Sequence, residues 1–348
     1  MISNIPEELV LQSSDEIFYE KYNQAKKSEK IFSAFINSLN KAEIISKLLF
    51  VPEIKESVPE ILPEETFFGT DKKQTIVVRK HPTGTPVFYH SHEFLELFYV
   101  LKGHSDQVIN GINFNMIQGD ICIIPPNVKH SLSVFDQSII LNILIRKTTF
   151  ENIFHNFLCT KNIFSAFILD NLYSTKASEY LIFHTKPQSQ VENLILEMYN
   201  ENKLQDAYSQ NVMPILLHRL FVEILRTSEN DYELPPNVNK DSLLRFELIQ
   251  YIQDSYKEAS LENLADDFKL TPQYASKLIK QLTGKTFSQI LLNIRMQKAC
   301  SLLQDTKIPV GDIAFEVGYA NPEHFIRLFK REFSITPGEY RNQNCISV

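Results

Sequence analysis

The sequence predicts an α+β fold in which a β-barrel with flanking helices precedes an all-α domain of two helix-turn-helix units joined by a long helix. Short β-branched and aromatic runs broken by turn residues lie between Thr75 and Arg146, a pattern typical of barrels and sandwiches. In the C-terminal third, a pair of helical segments separated by a short turn occurs twice. At 348 residues the chain is long enough for several domains, and we expect a helical extension over 1–70, the barrel over 71–150, a helical region over 151–228, a linker over 229–240 and the double helix-turn-helix over 241–348.

The extension over residues 1–70 predicts at least one amphipathic helix. Apolar side chains recur at helical spacing between Phe32 and Leu49, and a Pro- and Glu-rich stretch, VPEIKESVPEILPEE, follows them. We expect an additional packing or oligomerisation element here, and its residues suggest no particular chemistry.

Seven short runs in the predicted barrel have the composition and spacing of β-strands. Each is rich in β-branched or aromatic residues and ends near a turn residue. Asn110-Gly111 predicts a hairpin turn, and Gly119-Asp120 predicts a second bend. The predicted strands are Thr75–Arg79, Phe94–Leu101, Ser105–Ile109, Ile112–Ile117, Ile121–Ile124, Ser131–Phe135 and Ile139–Ile145.

A regularly spaced set of polar residues and glycines extends from the turn before the second of these strands to just beyond its end. Gly84 is followed by His90, His92, Glu96 and Gly103 in the spacing G-X5-H-X-H-X3-E-X6-G. This segment matches the first motif of the cupin family without a mismatch.

A second, looser match follows. Gly119, Pro125 and His130 agree with the second cupin motif, whereas Asn127 stands where the family prefers Gly and Val134 where it often has Asn. The resemblance covers about 70 residues. It implies a cupin-type β-barrel with a pocket in its mouth.

The cupin resemblance also implies a candidate site. In metal-binding cupins the residues at the positions of His90, His92, Glu96 and His130 form the ligand set. Alternate residues of a strand point to the same side, and imidazoles with a carboxylate suit Zn, Mn, Fe or Ni. The alternative is that these four side chains, with Tyr89 as an aromatic contact, line a small-molecule pocket. We expect such an effector pocket, for example for a sugar, with no cofactor required; a divalent metal is the alternative.

Nearby residues are open to two interpretations. Arg79, Lys80 and His81 either recognise an anionic group or lie solvated at the surface. The aromatic residues Phe94, Phe98 and Tyr99 either form a wall of the pocket or belong to the core.

Two helices and a linker are predicted after the barrel. Gln190–Met198 and Val212–Arg226 have helical periodicity, and Glu229–Asn239 is polar with a Pro pair, as linkers are. The second helix has an apolar stripe formed by Ile215, Leu216, Leu220 and Ile224.

The repeated helix-turn-helix pattern has two strong helix starts. Thr271 and Asn321 can cap free amides, and each precedes a Pro, which needs no amide hydrogen at the first helical position. The first copy is Leu261–Phe268, the turn Lys269–Leu270 and a helix from Thr271-Pro272 to about Leu282; the second is Val310–Val317, the turn Gly318–Ala320 and a helix from Asn321-Pro322 to about Phe333.

The second helix of each copy has an apolar inner face and a polar, basic outer face. Helices of this kind fit the DNA major groove, with residues near the N-terminus reaching bases and Lys or Arg reaching phosphates. The predicted inner residues are Ala275, Leu278, Ile279 and Leu282, then Phe325, Leu328, Phe329 and Phe333. The predicted DNA contacts are Gln273, Tyr274, Ser276, Lys277 and Lys280, then Glu323, His324, Arg327, Lys330 and Arg331.

A single helix over Ser288–Leu303 is predicted between the copies, because this segment contains no Gly or Pro. Residues 240–348 resemble the AraC/XylS family of bacterial transcription regulators through GKTFSQILLNIRMQKACSLLQDT and IPVGDIAFEVGYANPEHFIRLFKREFSITPGEYR. Ser334 stands where the family usually has Gly, so we expect the turn after the last recognition helix to form differently.

The AraC/XylS resemblance implies the partners. They are double-stranded operator or promoter DNA, RNA polymerase, a small-molecule effector and a second copy of the chain, paired through the helices of 151–228. The alternative for those helices is that they cover the barrel of their own subunit. We expect a transcription activator rather than an enzyme. The alternatives are a cupin metalloenzyme fused to a DNA-binding domain, a regulator controlled by a protein partner, and a helical bundle used only for protein contacts.

Charge and cysteine content agree with this interpretation. The formal net charge is -7, yet the residues from Lys240 onward hold 14 Lys and Arg against 13 Asp and Glu, so the acidic excess lies in the first 239 residues. We therefore expect weak non-specific attraction to DNA. The scattered cysteines and the absence of a basic leader or a long apolar stretch favour a cytoplasmic protein without membrane contact. The cysteines are Cys122, Cys159, Cys300 and Cys345.

Overall fold

The chain folds into two compact units in the computed structural model. The N-terminal unit contains the described residues up to Phe154 and from Tyr180 to Glu233, and the C-terminal unit contains Phe167, Asn171 and the described residues from Lys240 onward. The structure describes residues 5–70, 74–134, 137–154, 167, 171, 180–228, 231–233 and 240–344.

Short helices form the first part of the N-terminal unit. The Ser13 hydroxyl accepts from Glu16 N while the Glu16 carboxylate accepts from Ser13 N, so a capping box starts the second helix. Tyr19, Tyr22 and Ile44 lie at the centre of this region. The helices are α1 (Glu7–Val10), α2 (Ser14–Ala25), α3 (Glu29–Ser38), α4 (Lys41–Ser46) and α5 (Glu65–Phe68), with a 3-10 turn at Lys55–Ser57.

This helical segment packs directly on the barrel. Lys80 Nζ lies 2.8 Å from Glu16 Oε2, and Asn23 Nδ2 donates to Gly84 O at 2.8 Å. Gly84 has a φ of +77°, and a Cβ there would lie 3.1 Å from Asn23 Nδ2. The N-terminal extension therefore forms part of the barrel wall.

Three sheets build the barrel. The largest has six strands in the order β11-β10-β7-β4-β9-β2, the second has the order β6-β5-β8, and β1 pairs in parallel with β3. The strands are β1 (Ile61–Leu62), β2 (Ile76–Lys80), β3 (Ser91–His92), β4 (Leu95–Lys102), β5 (His104–Ile109), β6 (Ile112–Ile117), β7 (Asp120–Ile124), β8 (His130–Ser133), β9 (Ile139–Ile145), β10 (Leu181–His184) and β11 (Tyr232–Glu233).

The predicted strands occur where the sequence places them. β6 and β9 have the predicted bounds, and the bounds of most others differ by one residue. β8 ends at Ser133 rather than Phe135, which lies outside the described residues. β4 and β9 are buried along nearly their whole length, which explains why their sequences are apolar without alternation.

Three strands lie in regions that the sequence assigns otherwise. β1 falls in the N-terminal extension predicted to be helical, yet it pairs in parallel with β3. β10 falls in the region predicted to be helical, yet it pairs antiparallel with β7 and so belongs to the barrel sheet. β11 falls in the predicted linker and pairs with β10. The run of four residues in β10, LIFH, is too short for its periodicity to distinguish strand from helix. Most of the predicted helical region between 155 and 179 lies outside the described residues.

Three helices accompany the sheets, and one of them corrects an expectation. They are α6 (Lys147–Phe154), α7 (Gln190–Leu204) and α8 (Ser209–Ser228). In α8 the predicted apolar stripe is buried within its own unit, since Leu216, Leu220 and Ile224 are at most 5% exposed. Ile215 alone of the stripe is open, at 67% exposed. The interpretation that this stripe pairs two subunits is therefore wrong, and the stripe covers the chain's own core.

The C-terminal unit is all-helical. Its second, third, fifth and sixth helices are the two predicted helix-turn-helix copies, and the fourth is the predicted joining helix, which is longer than expected. The first and last helices were not predicted. The helices are α9 (Lys240–Asp254), α10 (Leu261–Asp267), α11 (Pro272–Thr283), α12 (Phe287–Asp305), α13 (Val310–Glu316), α14 (Pro322–Phe333) and α15 (Pro337–Asn344).

Two further predictions can be compared with the structure. Within the part of the chain that the structure describes, no helix combines the length and apolar character that a membrane span needs. Cys122 is a buried free thiol and Cys300 a half-buried one, whereas Cys159 and Cys345 lie outside the described residues.

Candidate DNA interface and barrel cavity

The helix α11 presents the first set of predicted DNA contacts. Thr271 Oγ1 accepts from Tyr274 N at 3.2 Å and Pro272 occupies the first turn, as the sequence predicts. Ala275 and Ile279 are fully buried, which fixes the opposite side of the helix outward. Of the predicted contacts, Ser276 is half-buried and the other four are exposed: Gln273, Tyr274, Lys277 and Lys280.

The helix α14 repeats this arrangement. Asn321 Oδ1 accepts from Glu323 N at 2.8 Å and from His324 N at 3.4 Å, and the inner face is anchored by fully buried Phe325 and Phe329. None of the five predicted contacts is buried: Glu323, His324, Arg327, Lys330 and Arg331.

One inner residue of α14 differs from the prediction. Phe333 is 36% exposed rather than buried, although its ring centroid lies 4.5 Å from that of Phe329 and 5.7 Å from that of Tyr340. It lies in the last turn of the helix, where α15 covers only one side of the ring.

The end of α14 corrects a second expectation. Ser334 has a φ of +64° and its amide donates to Lys330 O, as Gly284 at the end of α11, with a φ of +73°, donates to Lys280 O. Both copies therefore end in the same left-handed turn. The substitution of Ser for Gly changes the strain of this turn and leaves its form unchanged.

The barrel encloses a small cavity of about 60 Å³. His90, Glu96 and His130 line it, and their ligand atoms lie within 4.8 Å of one another. The described side chains around it also include Tyr19, Leu48, Phe50, Phe67, Arg79, His81, Phe88, Phe94, Phe98 and Asn142.

Two predicted site residues lie outside this cavity lining. His92 is fully buried behind Glu96, with its ring stacked on Phe94 at 4.5 Å. Tyr89 is 55% exposed, because it lies between Phe88 and His90 on an extended segment and points to the opposite side. The structure therefore gathers three of the four predicted ligands around one point, and Tyr89 does not contact that point.

The hydrogen bonds of the histidines determine what the cluster offers. His92 Nδ1 lies 2.6 Å from Phe94 O and His130 Nδ1 lies 3.1 Å from Val128 O. Because a carbonyl only accepts, each Nδ1 carries the proton and each Nε2 is left as an acceptor in the neutral ring. Both Nε2 atoms lie near Glu96 Oε2, at 3.2 and 3.3 Å, without hydrogen-bond alignment.

The charge states of the cluster follow from its burial. Burial lowers the pKa of His90 to about 3, and it also lowers the pKa of His92. Burial by itself would raise the pKa of Glu96, but contacts with His130 and His92 outweigh it and hold that pKa below its ordinary range. The cluster is therefore an ionised Glu96 carboxylate beside a neutral His90 imidazole, and both can accept from a hydrogen-bond donor or bind a cation at the centre.

Comparisons with known proteins identify both parts of the chain. A cupin domain model matches residues 76–138, and a helix-turn-helix domain model of the AraC/XylS type matches residues 264–343. The HTH-type transcriptional activator RhaS of Escherichia coli (strain K12) is 29% identical over 254 residues, which are 72% of this chain and 86% of RhaS. The chain is an AraC/XylS-family transcription regulator with a cupin domain. The family and the fold class predicted from the sequence are confirmed.

Two solved structures illustrate what the regulator is similar to. The C-terminal domain of AraT, a response regulator from Geobacillus stearothermophilus, shares 35% identity, covers 31% of this chain and 92% of its own, and has a TM-score of 0.30. ToxT from Vibrio cholerae shares 12% identity, covers 78% of this chain and 99% of its own, and has a TM-score of 0.31. Because both TM-scores are low, the assignment of the regulator rests on the two domain models and on RhaS.

Some residues of the regulator's cavity were not predicted. Asn142 Nδ2 donates to Glu96 Oε1 at 2.8 Å, and a lone polar residue in the apolar run of β9 could have indicated it. His81, which the sequence left open between anion recognition and the solvated surface, lines the cavity with Arg79; burial lowers its pKa to about 4, and its Nε2 atom has no hydrogen-bond partner among the described residues. Tyr19 and Phe50 come from the N-terminal extension, and nothing in their local sequence indicates contact with the cavity.

Proposed function

We propose that this regulator reads operator or promoter DNA by placing α11 and α14 in two successive major grooves. The observation that carries the proposal is a pair of capped helices whose inner faces are buried while their outer faces hold the predicted contacts. The 19 residues of α12 form a rod of roughly 28 Å, which suits the ~34 Å repeat of the groove once the offsets of the two helices are added.

The exposed side chains suggest separate roles. Gln273 can pair bidentately with adenine, and Lys277 and Arg327 suit guanine. Lys280 and Lys330, one turn further along, suit phosphate contacts. Glu323 can accept from the cytosine amino group but is repelled by phosphate, so we assign the main contacts of α14 to His324 and Arg327.

Gel-shift titration of alanine variants on DNA selected from a random library tests these roles. We expect Lys277→Ala and Arg327→Ala to weaken binding by about 1–3 kcal/mol, and Lys280→Ala or Lys330→Ala to reduce the salt dependence by about one unit of slope. Lys307→Ala, an exposed lysine outside both recognition helices, is the matched control. Wild-type affinity in all four variants would refute the proposed interface.

For the cavity, we propose binding of a small effector with several hydroxyl groups, such as a sugar. The Glu96 carboxylate and the neutral imidazole of His90 are hydrogen-bond acceptors, so they favour a ligand that donates. Arg79, which also lines the cavity, supplies donors for an oxygen atom of the same ligand.

The size of the cavity adds a condition to this proposal. A volume of about 60 Å³ holds a few water molecules, whereas small-molecule pockets usually span roughly 300–1,000 Å³. A sugar therefore enters only if part of the wall moves. Tyr19, Leu48 and Phe50 belong to the N-terminal extension, so effector binding would displace that segment.

A divalent metal ion is the second candidate for the same cluster. The donors fit it, because His90, Glu96 and His130 converge and the Nδ1 contact of His130 with Val128 O orients its Nε2 atom. A metal there would serve as a Lewis acid or as an anchor for the ligand. Elemental analysis of the purified wild type and of Glu96→Gln distinguishes the two candidates. About one equivalent of metal per chain in the wild type and none in the variant indicates a metal site. No metal in either protein favours an effector that binds without a metal. We propose no enzymatic activity.

We propose that the regulator acts as a homodimer that contacts RNA polymerase at its promoters. Because the stripe of α8 is buried, pairing would use the exposed apolar residues near the α7–α8 corner, namely Leu204, Tyr208 and Ile215, which are 64%, 72% and 67% exposed. Sedimentation of wild type and Ile215→Glu checks this: we expect a dimer that the charge dissociates.

A further inference from the structure

The joining helix α12 carries an arginine that contacts the turn preceding the first helix-turn-helix copy and the turn within the second. Arg295 Nε donates to Tyr256 O at 2.8 Å and Arg295 Nη2 donates to Lys257 O at 2.9 Å. Both carbonyls lie in the turn between α9 and α10, on the side of the first copy. The guanidinium carbon also lies 5.1 Å from the ring centroid of Tyr319, which belongs to the turn of the second copy.

A close backbone approach lies beside this arginine. Gly318 has a φ of +86°, and a Cβ there would lie 2.6 Å from Lys257 O and 2.9 Å from Arg295 Nη2. The turn of the second copy therefore packs against the 255–258 turn with no room for a side chain. Lys257 Nζ and Glu316 Oε2 form an ion pair of 2.6 Å at the exposed edge of the same contact.

The joining helix alone sets only part of the geometry between the copies. A helix of this length fixes their separation, but small bends and fraying at its ends rotate the recognition helices relative to each other. A contact that ties the two turns together away from the helix axis removes that freedom. Arg295, Gly318 and Tyr319 form such a contact.

We propose that Arg295 is a positioning residue that fixes the mutual orientation of α11 and α14 and thereby sets the number of base pairs that the regulator accepts between its two groove contacts. The inference rests on the proposed two-groove binding. Each added base pair moves the second contact by ~3.4 Å and rotates it by roughly 35° about the DNA axis. A rigid pair of recognition helices therefore loses affinity when the spacing between its two contacts changes. A loosely joined pair can reorient and keeps more of its affinity.

Arginine suits this role better than lysine does. Two neighbouring carbonyls and a ring face are contacted at once, which requires a planar fork with several donors. A lysine at this position would offer a single point charge and reach one carbonyl. We therefore expect Arg295→Lys to restore only part of the function.

The test compares full-length wild type, Arg295→Ala and Arg295→Lys on one family of DNA duplexes. The family is built from the sequence that the wild type selects from a random library: the intact sequence, spacers changed by one or two base pairs, and each half with the other half scrambled. Lys298→Ala, which removes a charge from the same helix, is the matched control. Melting temperatures of all variants are recorded beside the affinities.

We expect Arg295→Ala to bind the intact sequence about tenfold more weakly, which corresponds to about 1.4 kcal/mol. Its affinity for the altered spacers should then approach that for the intact one, while its affinity for a single half stays within about twofold of the wild type. Tyr319→Leu removes the ring that the Arg295 guanidinium contacts while leaving Arg295 in place. We expect this variant also to discriminate less between spacer lengths than the wild type does.

Three results would overturn the inference. Retention of the wild-type spacer preference by Arg295→Ala shows that the residue does not position the copies. An equal loss on every duplex, single halves included, shows that it only supports folding of the unit. Indifference of the wild type itself to the spacer refutes two-groove binding and the inference with it, and this failure is visible before any variant is compared.

Discussion

Ser334 illustrates how one residue can carry strain without changing the fold. Its φ of +64° lies in the left-handed region, which a residue with a Cβ occupies at a cost of roughly 1–2 kcal/mol. The equivalent turn after α11 has Gly284 at a φ of +73° and avoids this cost. The second helix-turn-helix copy therefore ends in a turn that is less stable than its counterpart in the first.

We expect Ser334→Gly to raise the free energy of unfolding by about 0.5–1 kcal/mol, because glycine relieves the strain but adds freedom to the unfolded chain. Urea unfolding of the full chain measures this change. The mirror variant Gly284→Ser should lower the free energy of unfolding by a similar amount. Equal stability of wild type and Ser334→Gly would show that the serine is held without strain.

Glu16 is a buried carboxylate that links the N-terminal helices to the barrel. It is 3% exposed, and it accepts from Lys80 Nζ at 2.8 Å and from Thr83 N at 3.1 Å. Burial by itself would raise the pKa of Glu16, but Lys80, Ser13 and Thr83 outweigh it and lower the pKa. The lowered pKa means that Glu16 contributes stability above the ordinary pKa of a glutamate and loses it as the pH falls through the folded-state value.

Replacing Glu16 tests how firmly the N-terminal helices are attached to the barrel. Glu16→Ala leaves the half-buried Lys80 without its carboxylate and removes the acceptor for Ser13 N and Thr83 N, so we expect a loss of about 3 kcal/mol in the free energy of unfolding. Glu43→Ala is the control, because Glu43 pairs with Lys47 at the surface and should change stability by less than ~1 kcal/mol. Chemical denaturation at pH 7 gives both values, and similar losses in the two variants would contradict the argument.

At the scale of elements, the edge of the largest sheet is held partly by charge. His184 on β10 has Nδ1 at 2.8 Å from Asp120 Oδ1 and Nε2 at 3.3 Å from Glu233 Oε1 on β11. Burial by itself would lower the pKa of His184. The nearby carboxylates of Asp120, Glu233 and Asp231 outweigh burial, so the pKa lies above its ordinary value. The imidazolium therefore stabilises the pairing of β11 with the sheet. β11 is the last described segment before the C-terminal unit.

This arrangement predicts a pH dependence of β11 pairing. Because the folded-state pKa of His184 is raised, its contribution is fully present below the unfolded-state pKa of about 6.5 and is lost as the pH rises through the folded-state value. The amide of His184 donates to Asp231 O at 3.0 Å, so its hydrogen exchange, corrected for intrinsic rates, should quicken from pH 6 to pH 8. In His184→Gln we expect protection that does not depend on pH, and the same pH response in that variant would contradict this role.

The elements also show what the sequence could and could not predict. β6, β9 and the starts of α11 and α14 depend on local features, namely apolar runs between turns and capping residues followed by Pro. β10 and β11 depend on partners far along the chain, since β10 pairs with β7 and β11 pairs with β10. The three apolar residues and the histidine of β10 carry no local sign of that pairing.

The candidate site shows the same division. Spacing was sufficient to place His90, Glu96 and His130 together, because a strand repeats every second residue and the second motif follows on a neighbouring strand. Spacing failed for His92, whose ring is turned onto Phe94 behind the cavity. It could not indicate the wall formed by the N-terminal helices, since those contacts depend on how two separate segments pack.

At the scale of the whole molecule, the cavity and the recognition helices lie in separate compact units. Changes in one unit that leave its fold intact should therefore be nearly additive with the properties of the other. An effector alters DNA binding only if it has different affinities for two states of the regulator, and the typical coupling is about 1–3 kcal/mol. The cavity residues should thus carry the response without carrying the basal affinity for DNA.

Glu96→Gln and His130→Gln test this separation. Each keeps the size of the side chain while removing the carboxylate or the imidazole that a donating ligand needs, so we expect loss of the response to the effector with basal DNA affinity within ~0.5 kcal/mol of the wild type. Tyr89→Ala is the matched control, because Tyr89 is exposed beside the same segment and outside the cavity lining; it should respond fully. The measurement is a promoter reporter with a panel of carbon sources, paired with gel shifts and melting curves of each purified protein. A full response in folded Glu96→Gln and His130→Gln would place the signal elsewhere, either in a protein partner or in the N-terminal extension, whereas a loss of response in Tyr89→Ala would show that the effector binds the outer face of the barrel instead.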